Sequence, residues 1–162
     1  MSIKLIPNFL KEDTFLELKN ILMDNQFPWF YSDVSGGLDD YSNFVFQHSF
    51  YKNEYQCSNW FNKIIMPILG NLNFKYLMRV RANCFSKRDK EIFTKFHIDS
   101  EKPHTVALYS VNSNNGYTLF ENGQKILSKE NQMAIFEGNL KHSSVSQTDT
   151  NIRVNINFNL IL

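Results

Sequence analysis

A chain of 162 residues can bury a sizeable core, and a content of 43% hydrophobic and 15% aromatic residues excludes an intrinsically disordered segment. The formal net charge of +1 argues against a global field for nucleic acid. Two cysteines without C-x-x-C spacing exclude a disulfide scaffold, no apolar leader opens the chain, and the longest aliphatic cluster (64–69) carries Pro67, so the expectation is a soluble, cytoplasmic protein with no membrane span.

In chain order, Asp13 reads as an N-cap, and Phe15, Leu18, Ile21 and Leu22 recur at helical spacing, which predicts a helix over 14–24. Residues 33–40 contain Ser35-Gly36-Gly37 and read as a flexible loop. A second helix is expected over 55–69, with Trp60, Phe61, Ile64, Ile65 and Ile68 on its buried side and Gly70 ending it. Lys87, Arg88 and Lys90 form a short basic strip, read as a solvated loop.

The remainder is mostly strand. Over 76–85, Tyr76, Met78, Val80, Ala82 and Cys84 alternate with Arg79, Arg81 and Asn83. Over 152–160, Ile152, Val154, Ile156, Phe158 and Leu160 alternate with Arg153, Asn155, Asn157 and Asn159. Such alternation puts one face on a core and the other against water or a polar cavity. Asn115-Gly116 and Asn122-Gly123 are hairpin signals. Helices followed by many short antiparallel strands predict a mainly β jelly roll, a double-stranded β-helix packed against N-terminal helices. An immunoglobulin-like sandwich leaves the helices and the polar strand faces without a purpose. No linker or repeat divides the chain, so one domain over 1–162 is expected, with 1–73 as helical support and a possible cover, and 74–162 as the jelly roll.

The chemistry-bearing residues lie in the second half. His97 and Asp99, two positions apart in an extended segment, project to one side and can grip one ion, which a distant His142 can close. Two histidines and a carboxylate that leave other coordination positions open suit a non-haem iron(II) centre. Structural zinc prefers four closed ligands, often thiolates, and a catalytic zinc would give the trailing Arg153 nothing to do. His48 and His104 have no partners at ligand spacing and read as structural.

The order H-x-D at His97 and Asp99, then His142, then Arg153 resembles that of the iron(II)/2-oxoglutarate-dependent oxygenases, with His142 43 positions after Asp99 and Arg153 11 positions after His142. The resemblance covers roughly 74–162. The sequence Leu108-Tyr109-Ser110-Val111-Asn112 followed by Gly116-Tyr117-Thr118-Leu119-Phe120 is similar to the prolyl-hydroxylase-like branch, with one glycine where that branch usually has two. Asn83-Cys84-Phe85 and Arg153-Val154-Asn155 resemble motifs of the nucleic-acid demethylase branch, with Phe85 in place of a tyrosine and Asn159 in place of a second arginine.

The resemblance implies a dioxygenase that hydroxylates a substrate with succinate and CO2 as co-products. It implies Fe(II) held by His97, Asp99 and His142, with O2 and 2-oxoglutarate as co-substrates and ascorbate as a supporting reductant. Arg153 would pair with the distal carboxylate of 2-oxoglutarate, and Asn83 and Asn155 would hydrogen-bond its carboxylates. Arg81, on the face of Asn83, is a candidate for an acidic substrate, and Trp29 and Tyr31 lie where the family often has a substrate cover. The expected substrate is a protein or peptide residue or a small molecule; nucleic acid is disfavoured by the near-neutral charge. The competing class is a non-enzymatic, cupin-like binding module.

Overall fold

The computed structural model describes residues 3–33 and 44–162. The glycines of the predicted 33–40 loop fall outside them.

The first helix, α1 (Glu12–Met23), starts slightly earlier than predicted. Lys11 occupies the N-cap position without a side-chain hydrogen bond, and Asp13 lies inside the first turn beside Glu12. Both carboxylates there face the positive end of the helix dipole, so Asp13 acts through charge rather than as a cap. Phe15, Leu18 and Leu22 form the buried stripe.

The predicted second helix is shorter at its start. β3 (Val45–Lys52) turns back through Asn53-Glu54 into β4 (Tyr55–Gln56), with Lys52 opposite Tyr55. Asn53 and Glu54 both have positive φ, 53° and 66°, which is what a tight two-residue hairpin requires. The helical stretch is a π-helical turn, Phe61–Ile65, continuing into α2 (Met66–Leu69). Pro67 sits at the start of α2, where a missing N–H is tolerated. Phe61, Ile64, Ile65 and Ile68 are buried as predicted, and Trp60 packs at the edge of the core.

The larger sheet runs β1–β9–β6–β11–β5–β3–β2, with β4 hanging on β3. Its members are β1 (Lys4–Ile6), β2 (Phe30–Ser32), β5 (Tyr76–Ser86), β6 (Thr105–Ser110), β9 (Gln132–Glu137) and β11 (Ile152–Ile161), together with β3 and β4. The smaller sheet is β10–β7–β8, formed by β7 (Tyr117–Phe120), β8 (Lys125–Leu127) and β10 (His142–Val145). All pairings are antiparallel, the arrangement of a jelly roll. The first 73 residues therefore supply four strands to the larger sheet besides helical backing. No described helix is long and apolar enough to cross a membrane.

Each face of the larger sheet has its own partner. Val154, Ile156, Phe158 and Leu160 of β11 meet α1, the π-helical turn and α2 in one large apolar cluster. On the opposite face of the sheet, Val106 and Leu108 of β6 pack with Phe120, Ile126 and Phe136. Arg153, Asn155, Asn157 and Asn159 share that opposite side of β11, and all four are buried. In β5 the predicted alternation breaks once. Asn159 pairs with Arg79 and Leu160 with Leu77, so Met78 is the extra residue of a β-bulge. The bulge brings Leu77 into the core and leaves Tyr76 exposed and Met78 outside the cluster.

Of the two Asn-Gly signals, Asn122-Gly123 is the β7–β8 hairpin, with Gly123 at φ 84°. Asn115-Gly116 instead lies on the crossover from β6 in one sheet to β7 in the other. Glycine is required there by proximity: a Cβ would stand 3.0 Å from Arg153 Cδ and 3.1 Å from the Gln147 nitrogen.

Candidate metal centre

Residues 92–97 run antiparallel to β10 as an added edge. Thr94 N–H donates to Ser144 O, and His97 and His142 exchange both backbone hydrogen bonds at 3.0 Å. The two histidines, 45 positions apart in sequence, are thus direct cross-strand neighbours with ring centroids 4.7 Å apart. Asp99 follows at a bend rather than in a continued strand, yet its Oδ1 lies 4.0 Å from His97 Nε2. One ligand atom from each of His97, Asp99 and His142 lies within 4.8 Å of the others.

The ring orientations are set by main-chain carbonyls. His97 Nδ1 donates to Lys95 O at 3.1 Å, and His142 Nδ1 donates to Leu140 O at 2.9 Å. Because a carbonyl only accepts, each neutral ring keeps its lone pair on Nε2, the nitrogen a metal needs. Burial holds His142 below the usual histidine range against the opposing pull of Asp99, which keeps that lone pair available at neutral pH.

Asp99 is secured by three residues that the alternation places on polar strand faces without giving them a role. Asn157 Nδ2 donates to Asp99 Oδ2 at 2.7 Å and Asn159 Nδ2 to the same oxygen at 3.0 Å. The Arg79 guanidinium lies 3.3 Å from Oδ1, and its Nε donates to Asn159 Oδ1. Burial alone would raise the carboxyl; Arg79, His142 and the two amides outweigh it and bring it down to about 2. A buried, ionised carboxylate beside two correctly presented imidazoles is a donor set that fits a divalent iron ion. A carboxylate expected beside the asparagine row would have pointed to these supporting residues, but only once the fold is known.

Arg153 projects from β11 into the same cleft and is 2% exposed. One guanidinium nitrogen donates to Ser144 Oγ and Val145 O, both at 2.9 Å, while Nε has no hydrogen-bond partner among the described residues. No carboxylate of the described residues pairs with Arg153, although burial depresses its pKa only to about 10 and leaves it charged. A buried cation with an unsatisfied donor, lining the cleft of the His–Asp–His cluster, fits the distal carboxylate of 2-oxoglutarate.

Asn83 and Asn155 face each other across β5 and β11, where Asn83 Nδ2 donates to Asn155 Oδ1 at 3.0 Å. Both line the cleft, as does Arg81. Trp29 and Tyr31 do not. Trp29 packs edge-on against Phe27 at the border of the core, and Tyr31, 65% exposed, leans on Phe44 and Phe46 over a separate groove. Trp29 is tied to the core, whereas Tyr31 stays exposed over a groove that shares Gln47 with the cleft. His48 bonds Pro28 O and Ser58 Oγ, and His104 bonds Lys102 O, so both lie outside the triad as expected. In the basic strip, Arg88 stacks over Phe44.

No protein-family model and no curated protein matches the sequence. Solved structures match its fold. A 2OG-Fe(II) oxygenase family oxidoreductase from Burkholderia pseudomallei superposes with a TM-score of 0.64 at 8% identity, over 97% of this chain and 84% of that one. A prolyl-4-hydroxylase from Pseudomonas putida gives 0.63 at 10% identity over 99% and 92%. A Trichoplax adhaerens prolyl hydroxylase, solved with a peptide fragment of the hypoxia inducible factor oxygen degradation domain, gives 0.61 at 12% identity over 98% and 83%. The chain therefore has the double-stranded β-helix fold of the iron(II)/2-oxoglutarate oxygenases, in the form found in the prolyl hydroxylases.

Proposed function

We propose that this protein is an Fe(II)- and 2-oxoglutarate-dependent dioxygenase that hydroxylates a protein or peptide residue or a small molecule, and that residues 1–162 act as one domain. The observation that carries the reading is the convergence of His97, Asp99 and His142 in a cleft that also holds the unpaired Arg153. When bound, iron and 2-oxoglutarate would supply the oxidising chemistry: O2 is reduced, 2-oxoglutarate loses CO2 to become succinate, and one oxygen atom enters a substrate C–H bond.

The residues of the chain have positioning roles. His97, Asp99 and His142 hold the metal through Nε2, a carboxylate oxygen and Nε2. Arg79, Asn157 and Asn159 keep the carboxylate ionised and aimed. Arg153 anchors the far end of the co-substrate, and Asn83 with Asn155 borders it. Phe85, Leu108 and Phe136 line the same cleft with apolar surface, which limits water beside the reacting centre. No side chain has to act as a general base.

Succinate formation from 2-oxoglutarate in the presence of Fe(II) and ascorbate tests the reading. Slow turnover is expected from the wild type even without its true substrate, and none from His97→Ala. Equal inertness of the two, across peptide and small-metabolite panels, would favour a non-enzymatic binding module.

A further inference from the structure

Arg81 is a second cation lining the cleft, largely enclosed, and holding the metal and 2-oxoglutarate does not require it; the sequence marks it as a candidate for an acidic substrate. It projects from β5, and its Nε is enclosed without a partner among the described residues. One guanidinium nitrogen makes a single long bond, 3.3 Å, to Gln47 Oε1. That bond occupies the oxygen of the Gln47 amide and leaves its NH2 as a donor. Directly across the strand pair stands Asn157, whose Nδ2 holds Asp99 while its Oδ1 is enclosed and also has no partner among the described residues. The register thus sets an unmet donor and an unmet acceptor side by side, next to the metal ligand. Buried polar groups are rarely left in this state unless something satisfies them.

Charge balance points the same way. With a divalent metal and dianionic 2-oxoglutarate in place, Arg79, Arg81 and Arg153 oppose only Asp99 among the described residues that line the cleft, which leaves an excess of two positive charges there. Arg79 is already paired with Asp99. Burial and the neighbouring Arg79 lower Arg81 only to about 10, so it stays charged at neutral pH.

We infer that the substrate is an acidic amino-acid unit whose carboxylate seats on Arg81 and Gln47 and whose adjacent N–H is accepted by Asn157 Oδ1. The inference rests on the oxygenase reading, since it places this unit beside the metal and co-substrate. A phosphoserine residue offers the same N–H beside a bulkier, more highly charged group, so it enters the test as the competing occupant. The same unit could come from a free N-acylated amino acid or from a residue within a peptide, and the test separates these sources.

Protein saturated with Mn(II) and N-oxalylglycine, which together occupy the metal and Arg153 positions, is titrated calorimetrically. The probes are N-acetyl-aspartate, N-acetyl-glutamate and short peptides centred on Asp, Glu, Asn, Gln or phosphoserine. At least one acid is expected to bind about tenfold tighter than its amide counterpart, the scale of a charge-assisted hydrogen bond. The better of the free and peptide acids identifies the source. Arg81→Gln should erase the preference with Mn(II) affinity retained, which also shows that the variant is folded. Gln47→Glu provides a second test: it supplies an internal carboxylate to Arg81, so it should likewise erase the preference while raising the melting temperature.

Amides binding as tightly as acids, no binding by any acid, tighter binding of the phosphoserine peptide, or a preference that survives both substitutions would overturn the inference alone. Failure of the wild type to hold Mn(II) and N-oxalylglycine would overturn the oxygenase reading together with it.

Discussion

The two faces of β11 invite comparison, because both are buried and only one is apolar. The helix-backed face carries Val154, Ile156, Phe158 and Leu160, each 0–1% exposed, among side chains that ask for nothing but contact. The cleft face carries Arg153, Asn155, Asn157 and Asn159, whose polar groups must each find a partner. Fully burying one large aliphatic or aromatic side chain stabilises by roughly 2 kcal/mol, and the first face collects this at every second residue. The second face spends its hydrogen bonds on Asp99, on Ser144 and Val145, and on cross-strand amides, yet leaves Arg153 Nε and Asn157 Oδ1 unmet. One face is organised for the fold and the other, on the proposed function, for a ligand, on a single strand.

That contrast can be broken by substitution. The largest effect on stability is expected from Phe158→Ala, about 4 kcal/mol by chemical denaturation, since it opens a cavity under the helices. The largest effect on binding is expected from Arg153→Met: about a hundredfold weaker 2-oxoglutarate binding by calorimetry, with Mn(II) binding retained and thermal stability unchanged or raised. Replacing a buried, unpaired cation with an apolar side chain of similar volume removes a desolvation penalty. Equal loss of metal and co-substrate would mean that Arg153 supports the fold instead.

A smaller effect sharpens the comparison. Asn159→Ala should lower metal affinity roughly tenfold, the usual scale for removing a hydrogen bond to a metal-binding carboxylate, while Asn157 still holds Asp99. Circular dichroism melting should barely change. The mildest test concerns Cys84, which points to the helix-backed face and whose thiol burial pushes up to about 11. At pH 8 a thiol reagent should label exposed Cys57 at once and Cys84 only on unfolding.

Much of this division is legible in the sequence, for a reason that also marks where it stops. Period-two alternation in 152–160 specifies two distinct faces, and the order of His97, Asp99, His142 and Arg153 picks out the residues that the structure gathers in one cleft. Which way a strand faces after a bulge is not encoded in its periodicity, so Leu77 rather than Met78 enters the core. Tyr55 and Gln56 carry nothing that forbids a helix; the positive φ at Asn53 and Glu54 claims them for a hairpin. The supports of Asp99 come from β5 and β11, 20 to 60 positions away, and only sheet register brings Arg79, Asn157 and Asn159 to one carboxylate. Trp29 and Tyr31 show the reverse limit: a cluster of rings signals burial or surface equally well until the packing is known.

The most direct test of the central claim is an anaerobic titration of the protein with Fe(II) and 2-oxoglutarate, followed in the visible range. A weak charge-transfer band that needs both components, saturates at one equivalent of each and vanishes in His142→Ala is the expected result. No band in the wild type, or the same band in the variant, would contradict the account.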